Sequence, residues 1–180
     1  MKYRGEDTLT LIGDRNVIRE GCTINAGTVQ DIGKTVVGSD NWIMAYVHIA
    51  HDCVLGDHII IANYTGLAGH VRLDDWVVLG GQSGIYQRVR MGAHSMCGFQ
   101  AHAGQDVPPF VTAGGNPYRA LMVNQEGLKR RGFSEERINR IKQMYRLLYR
   151  QGLTLAQATE EIAALPADDE AGKGDIAMMV

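Results

Sequence analysis

Ile49-Ala50-His51-Asp52-Cys53-Val54-Leu55-Gly56-Asp57-His58-Ile59-Ile60-Ile61 decides how the rest of the chain is read. Aliphatic residues fall at 49, 55 and 61. Four places after each comes a small or β-branched residue: Cys53, Ile59 and Thr65. Followed outward, the sixth-residue anchor runs Val37, Ile43, Ile49, Leu55, Ile61, Leu67, Leu73, Leu79, Ile85, Met91, Cys97, Ala103. An amphipathic helix would want apolar residues at i, i+3, i+4 and i+7, and an alternating strand would show period 2 with no sixth-residue anchor. A six-residue period is the mark of a parallel β-helix. Each hexad is one short strand plus a corner, and three hexads close one triangular coil. Anchors then stack in columns, Val37, Leu55, Leu73 and Met91 in one and Ile49, Leu67, Ile85 and Ala103 in another, about 4.8 Å apart. An earlier register, Ile12, Ile18, Ile24, is offset by one residue. That offset predicts a bulge or loop across 30–36.

The repeat occupies residues 1–112, with 1–11 as a leading strand or incomplete coil and Pro108-Pro109 ending the regular pattern, because proline lacks a ladder donor. Residues 113–165 read as a C-terminal helical segment that opens on a turn-rich linker over 113–118. Asn124 to Arg131 is a short helix closed by Gly132. Ser134 is an N-cap for 135–151, with Glu135 and Glu136 at the favourable end of the dipole. Thr154 and Gln157 form a capping-box signature for a helix reaching Leu165. Residues 166–180, acidic and glycine-bearing, read as a disordered tail.

A chain of 180 residues that is 45% hydrophobic can bury a core of globular size. A net charge of -2 offers no field for nucleic acid or an anionic membrane, and no apolar run approaches the length of a membrane span. Three cysteines, Cys22, Cys53 and Cys97, show no CxxC and no metal spacing, an odd count that suits a reducing cytoplasm. With 22 glycines against 4 prolines the composition is far from collagen and fits a repeat with glycine corners.

Chemistry concentrates at His48, His51 and Asp52. Residue 69, three hexads beyond His51, is glycine, and residue 87, three further on, is glutamine. His51 should therefore have a glycine backbone directly above it. An imidazole can act as general base near neutral pH, the adjacent Asp52 can orient it, and a glycine N–H can stabilise an oxyanion. These are parts for acyl transfer to a hydroxyl with no cofactor. A lone corner histidine would more often be idle, but His48, His51, Asp52 and His70 cluster in adjacent coils. A metal site, as in hexapeptide-repeat carbonic anhydrases, is the rival reading; no metal is expected, since such a site requires neither the orienting aspartate nor the downstream basic helix. That helix carries Lys129-Arg130-Arg131, either a solvated face or an arginine pair for phosphate, with Asn124 and Glu126 free to bind a sugar or base.

Taken together, Gly13-Asp14, Asn16 to Glu20, Gly27 to Gln30, His48 to Cys53, Leu67 to Val71, Gln105 to Pro109 and Glu126 to Phe133 resemble the UDP-N-acetylglucosamine O-acyltransferases of lipid A synthesis, from about Lys2 to Leu165. The resemblance implies a left-handed parallel β-helix in a cytoplasmic homotrimer, with clefts between subunits. It also implies transfer of a 3-hydroxyacyl chain from acyl carrier protein to the 3-hydroxyl of UDP-N-acetylglucosamine. It assigns His51 as base, Asp52 as its orienting partner and Gly69 as oxyanion donor. Lys2, His48, His70 and Gln87 would line the groove, and Asn124, Glu126, Arg130 and Arg131 would hold the nucleotide. Phe99 falls where the family sets acyl-chain length. Asn25 and Tyr86 stand where the family carries histidines. The family has further coils ahead of the position of Lys2, so the chain reads as a member lacking them. Two alternatives stay open: a catalytically impaired nucleotide-sugar-binding scaffold, and another hexapeptide-repeat transferase using acetyl-coenzyme A.

Overall fold

The computed structural model describes residues 4–167 and 169–180. Two-residue strands recur every six residues and pair only with strands one coil away, as Val36 with Val54 and Leu73 with Met91. They form three parallel stacks, one of them holding His48–Ile49, Gly66–Leu67, Gly84–Ile85 and His102–Ala103. The anchors named above, Val37 to Ala103, are all buried, and so are their companions from Val47 to Val107. At about 25 cal/mol per Å2, a dozen such side chains dominate the stabilisation of the solenoid.

Each hexad turns its corner through a residue in the left-handed region. Every sixth residue from Asp40 to Gln100 has φ between 54° and 66°, and none of these is glycine. The glycine corners expected from composition are therefore absent here. Glycine sits instead one place after an anchor, where the next coil comes too close for a side chain: a Cβ on Gly38 would lie 2.4 Å from the Gly56 carbonyl oxygen. The corner residues offset their backbone strain, of order 1–2 kcal/mol each, by stacking along the axis. Tyr46 lies on Tyr64 with centroids 5.1 Å apart, His58 lies on Trp76 at 4.1 Å, and Gln100 donates to Gln82 at 2.8 Å.

The break in the register lies earlier and is longer than the sequence pattern suggests. Leu9 pairs with Lys34 and Thr23 with His48, a step of 25 residues where later coils step by 18. The insertion is thus seven residues (25 − 18), within residues 25–33, and 34–37 is already strand. A hexad count shows only the remainder of that number. In the first coil Leu9, Leu11, Ile12, Val17 and Ile18 are exposed, whereas Val37 and Ile43 above them are buried.

Two further boundaries move. Pro108-Pro109 does not end the solenoid: Val111–Gly114 continues a parallel stack, pairing Cys97 with Ala113 in a shorter last coil, and then turns back antiparallel through Arg119–Val123. The expected linker over 113–118 is therefore partly strand. Four helices follow, α1 (Gln125–Arg130), α2 (Glu135–Tyr149), α3 (Leu155–Ala163) and α4 (Glu170–Met179). Ser134 caps α2, and Thr154 with Gln157 makes the reciprocal capping box on α3. The tail over 166–180 is not disordered at 170–179. Asp169 caps α4, Met179 is buried, and the buried Asp175 takes Arg137 of α2 in a two-point ion pair at 2.8 and 2.9 Å. Arg137 supplies the charge that a polar, glycine-bearing segment needs for docking, and nothing in the tail's own composition shows it. No helix among the described residues is long and apolar enough to cross a membrane.

Candidate active site

His51 precedes a corner residue, and the corner is Asp52 itself, with φ 59°. That conformation turns consecutive side chains toward each other: His51 Nδ1 lies 2.9 Å from Asp52 Oδ2. The Asp52 side chain is fully buried, while His51 keeps about a quarter of its own exposed. Asp52 Oδ2 also accepts from the Thr28 hydroxyl at 2.6 Å, Oδ1 accepts from the Thr28 N–H at 2.9 Å, and the Asp52 N–H donates to Thr35 Oγ1 at 2.9 Å. Burial pushes the Asp52 carboxyl up, but the Thr28 hydroxyl, the Thr28 N–H and the His51 ring outweigh it and hold Asp52 below the usual carboxylate range. An ionised Asp52 that accepts from Nδ1–H leaves the His51 Nε2 lone pair facing outward, the tautomer a general base requires.

Gly69 lies where hexad spacing puts it. A Cβ there would be 2.7 Å from His51 Cε1 and 2.9 Å from Nε2, so only glycine leaves room for the ring. Among the described residues, its N–H donates to no group. Gln87, exposed, continues the same column. His70 stands edge-on to His51 with centroids 5.0 Å apart, and its Nδ1 is paired with Asp31. His48 is exposed and its Nδ1 lies 2.7 Å from Thr23 Oγ1. His51, Asp52, His70 and Gln87 thus share one corner, with His48 on the strand leading into it. Lys2 lies outside the described residues.

His51, Asp52 and His70 also bring ligand-type atoms within 4.8 Å of one another. Three ligands would meet the count for a catalytic zinc. Both Asp52 oxygens are already engaged by Thr28 and His51, however, so the arrangement serves orientation of the imidazole better than coordination. Cys53, next in sequence, turns inward to donate to the Ala68 carbonyl at 3.2 Å, and burial pushes its thiol up to about 11, which removes it as a nucleophile.

The four residues expected at the nucleotide end separate into two pairs. Glu126 and Arg130 are exposed on α1. Asn124 and Arg131 are used internally. Asn124 is buried as the N-cap of α1, accepting from the Gly127 N–H at 3.2 Å and donating to the His94 carbonyl at 2.9 Å. Arg131 donates to the Trp76 carbonyl at 3.0 Å and lies over its ring, 5.3 Å from the centroid. Burial, then Arg131 and Arg137, push the neighbouring His94 down to about 4, so it stays neutral in the fold. The α1 helix is seated on the corner formed by Trp76, His94 and Phe110, whereas His51 and Gly69 belong to a different corner of the prism. Thr28, Asp31 and Thr35 are site residues that the sequence pattern does not reveal, because the irregular insertion removes the register needed to place the first two. Phe99 is two-thirds exposed, its ring over Gly81.

Residues 106–179 match the family model for domain 2 of UDP-N-acetylglucosamine O-acyltransferase, and residues 34–69 match the bacterial transferase hexapeptide repeat. The chain is 56% identical over 178 residues to the acyl-[acyl-carrier-protein]–UDP-N-acetylglucosamine O-acyltransferase of Verminephrobacter eiseniae, covering 99% of this chain and 68% of that protein. It is 55% identical over 182 residues to the enzyme of the same name from Leptothrix cholodnii, covering 100% and 69%. The crystal structure of the Moraxella catarrhalis RH4 UDP-N-acetylglucosamine O-acyltransferase superposes with a TM-score of 0.93 at 43% identity, covering 99% of this chain and 68% of that one. The solenoid is accordingly a left-handed parallel β-helix. This chain belongs to the acyl-[acyl-carrier-protein]–UDP-N-acetylglucosamine O-acyltransferase family.

Proposed function

We propose that the chain transfers a 3-hydroxyacyl group from acyl carrier protein to the 3-hydroxyl of UDP-N-acetylglucosamine, the opening reaction of lipid A synthesis, with His51 as general base. The observation that carries it is the His51–Asp52 pair packed against the Gly69 backbone of the next coil, whose N–H donates to no group among the described residues. His51 Nε2 takes the proton of the sugar hydroxyl as its oxygen attacks the thioester carbonyl. The Gly69 N–H donates to the oxyanion that forms. Collapse breaks the carbon–sulfur bond, and the imidazolium returns the proton to the departing thiolate. Asp52, ionised, holds Nδ1–H throughout and stabilises the transient positive charge.

His48, His70 and Gln87 are the proposed lining of the acceptor groove, and Glu126 and Arg130 the nucleotide contacts, with Arg131 and Asn124 shaping α1 behind them. The separation of α1 from His51 onto different corners supports a homotrimer, in which a cleft between neighbouring copies would join one copy's His51 to the next copy's Arg130. The proposed location is the cytoplasm, a reducing compartment that three free cysteines support. The test is acyl transfer from 3-hydroxyacyl carrier protein to UDP-N-acetylglucosamine with His51→Ala alongside. A drop of about 100-fold to 10,000-fold is the expected size for loss of a general base. Unchanged turnover in the variant, or nucleotide-sugar binding without turnover in the parent, rejects the reading.

A further inference from the structure

The hexad register is first broken by an insertion near its start, and residues from that insertion reach the catalytic corner. A turn of this solenoid closes in 18 residues, yet the first takes 25. Val29 and Ile32 in the extra segment are exposed, so it adds nothing to the core. Thr28, by contrast, points inward and gives one donor to each oxygen of Asp52, at 2.6 and 2.9 Å. Two donors from one residue fix the plane of the carboxylate, and His51 Nδ1 lies 2.9 Å from Oδ2 of that fixed group. Asp31, three residues on, pairs with His70 Nδ1. Each of the two imidazoles at the corner is thus held at Nδ1 by a carboxylate, which leaves its Nε2 to face a ligand. The base of the loop is pinched: a Cβ on Gly27 would lie 1.9 Å from the Lys34 nitrogen. Thr28 is therefore delivered to one place.

We propose that the loop over 25–33 is a positioning element for acyl transfer, Thr28 fixing the Asp52 carboxylate that orients His51 and Asp31 fixing the ring of His70. The proposal rests on His51 being the general base. The titratable groups facing Asp52 are His51 beside it and His70 from the next coil, with Asp31 behind His70; the Cys53 thiol turns away to Ala68.

The experiment compares Thr28→Val, Thr28→Ala and Thr28→Ser in the full chain. Ring nitrogen NMR shifts of His51, recorded at alkaline pH, should show a single Nδ1–H tautomer in the parent and in Thr28→Ser, and a mixture in the other two. Asp31→Asn should release the His70 ring and leave His51 in one tautomer. For catalysis, Thr28→Val should lower kcat about 10-fold to 100-fold, the scale on which a hydrogen bond to a charged group acts, with KM for UDP-N-acetylglucosamine unchanged and Thr28→Ser within about threefold of the parent. The acid limb of kcat/KM should move to higher pH in Thr28→Val, since the carboxylate has lost a donor that favours its ionised form. In an Asp52→Asn background Thr28→Val should add no further loss. A single tautomer retained in Thr28→Val, equal loss in Thr28→Ser, or a full additional loss beside Asp52→Asn overturns the proposal. So does failure of both Val and Ala variants to fold while Ser is native, which would assign Thr28 to stability alone. Absence of turnover in the parent rejects the functional reading separately, and the ring spectra still decide the positioning.

Discussion

Adding one methyl group at residue 69 separates the geometry of the site from the stability of the fold. The Cβ of Gly69→Ala would stand 2.7 Å from His51 Cε1 and 2.9 Å from Nε2, against the 3.5–4.0 Å at which carbon atoms rest. The ring must retreat by about 1 Å. The backbone at 69 is not in the left-handed region, so alanine is not strained there, and stiffening the unfolded chain contributes about 0.4–1 kcal/mol toward stability. The ring is partly exposed and can swing without opening the core. Its swing stretches the 2.9 Å contact with Asp52 and moves Nε2 off the acceptor hydroxyl. A misplacement of about 1 Å at a reacting group is worth about 100-fold in rate. The expected result is therefore a kcat lowered about 100-fold with a melting temperature within about 4 °C of the parent, read by acyl-transfer kinetics and a thermal melt on the same preparation. Parental kcat in a natively folded Gly69→Ala would refute the placement of His51 beneath residue 69, and a collapse of the melting temperature would show that glycine is there for the fold.

Neutral burial of His94 makes stability depend on pH. Its folded value of about 4 lies below the unfolded value of about 6.5, so its contribution is intact above about pH 6.5 and is lost as pH falls toward 4, by about 3 kcal/mol in all. His94→Phe, which keeps a ring between Trp76 and Phe110, should flatten that slope in urea melts taken from pH 7 to 4; an unchanged slope assigns it elsewhere. Arg130→Ala and Arg131→Ala should diverge: the first raises KM for UDP-N-acetylglucosamine at parental stability, and the second costs about 1–3 kcal/mol of stability by freeing α1 from the Trp76 carbonyl. Equal effects on both measurements would reject the division of labour. Phe99→Ala should shift donor preference toward longer acyl chains in competition assays, since the exposed ring over Gly81 would no longer fill that space; unchanged preference removes Phe99 from length selection.

The solenoid was legible because its core obeys a count. Every anchor from Val37 to Ala103 is buried where a period of six puts it, and the same arithmetic puts Gly69 over His51. Where counting fails, so does the reading. An insertion of seven leaves a remainder of one on division by six, so the pattern shows only a one-residue offset and sets the bulge or loop at 30–36, several residues late. Thr28 and Asp31, inside it, had no column to be assigned to. Arg130 and Arg131 are adjacent and chemically identical, and only the seating of α1 on Trp76 decides that one faces solvent and the other the wall. Asn124 carries the right chemistry for a base or sugar, yet the same amide accepts from the free Gly127 N–H of the helix it begins. The helix over 170–179 depends on a partner: Asp175 is tolerable in a buried place because Arg137 meets it.

The His70 N–H donates to the His51 carbonyl at 3.0 Å, a rung that ties the two levels of the catalytic corner beside Gly69. The gap between base and oxyanion donor is thereby a gauge block whose thickness is the spacing of neighbouring backbones. It cannot widen for a bulkier reacting group without parting that rung and the strand bonds of Ile49 with Leu67 on the same level. Adaptation to different acyl chains therefore falls to side chains away from the gap. The His70 amide should exchange with solvent hydrogen only as slowly as the solenoid as a whole opens.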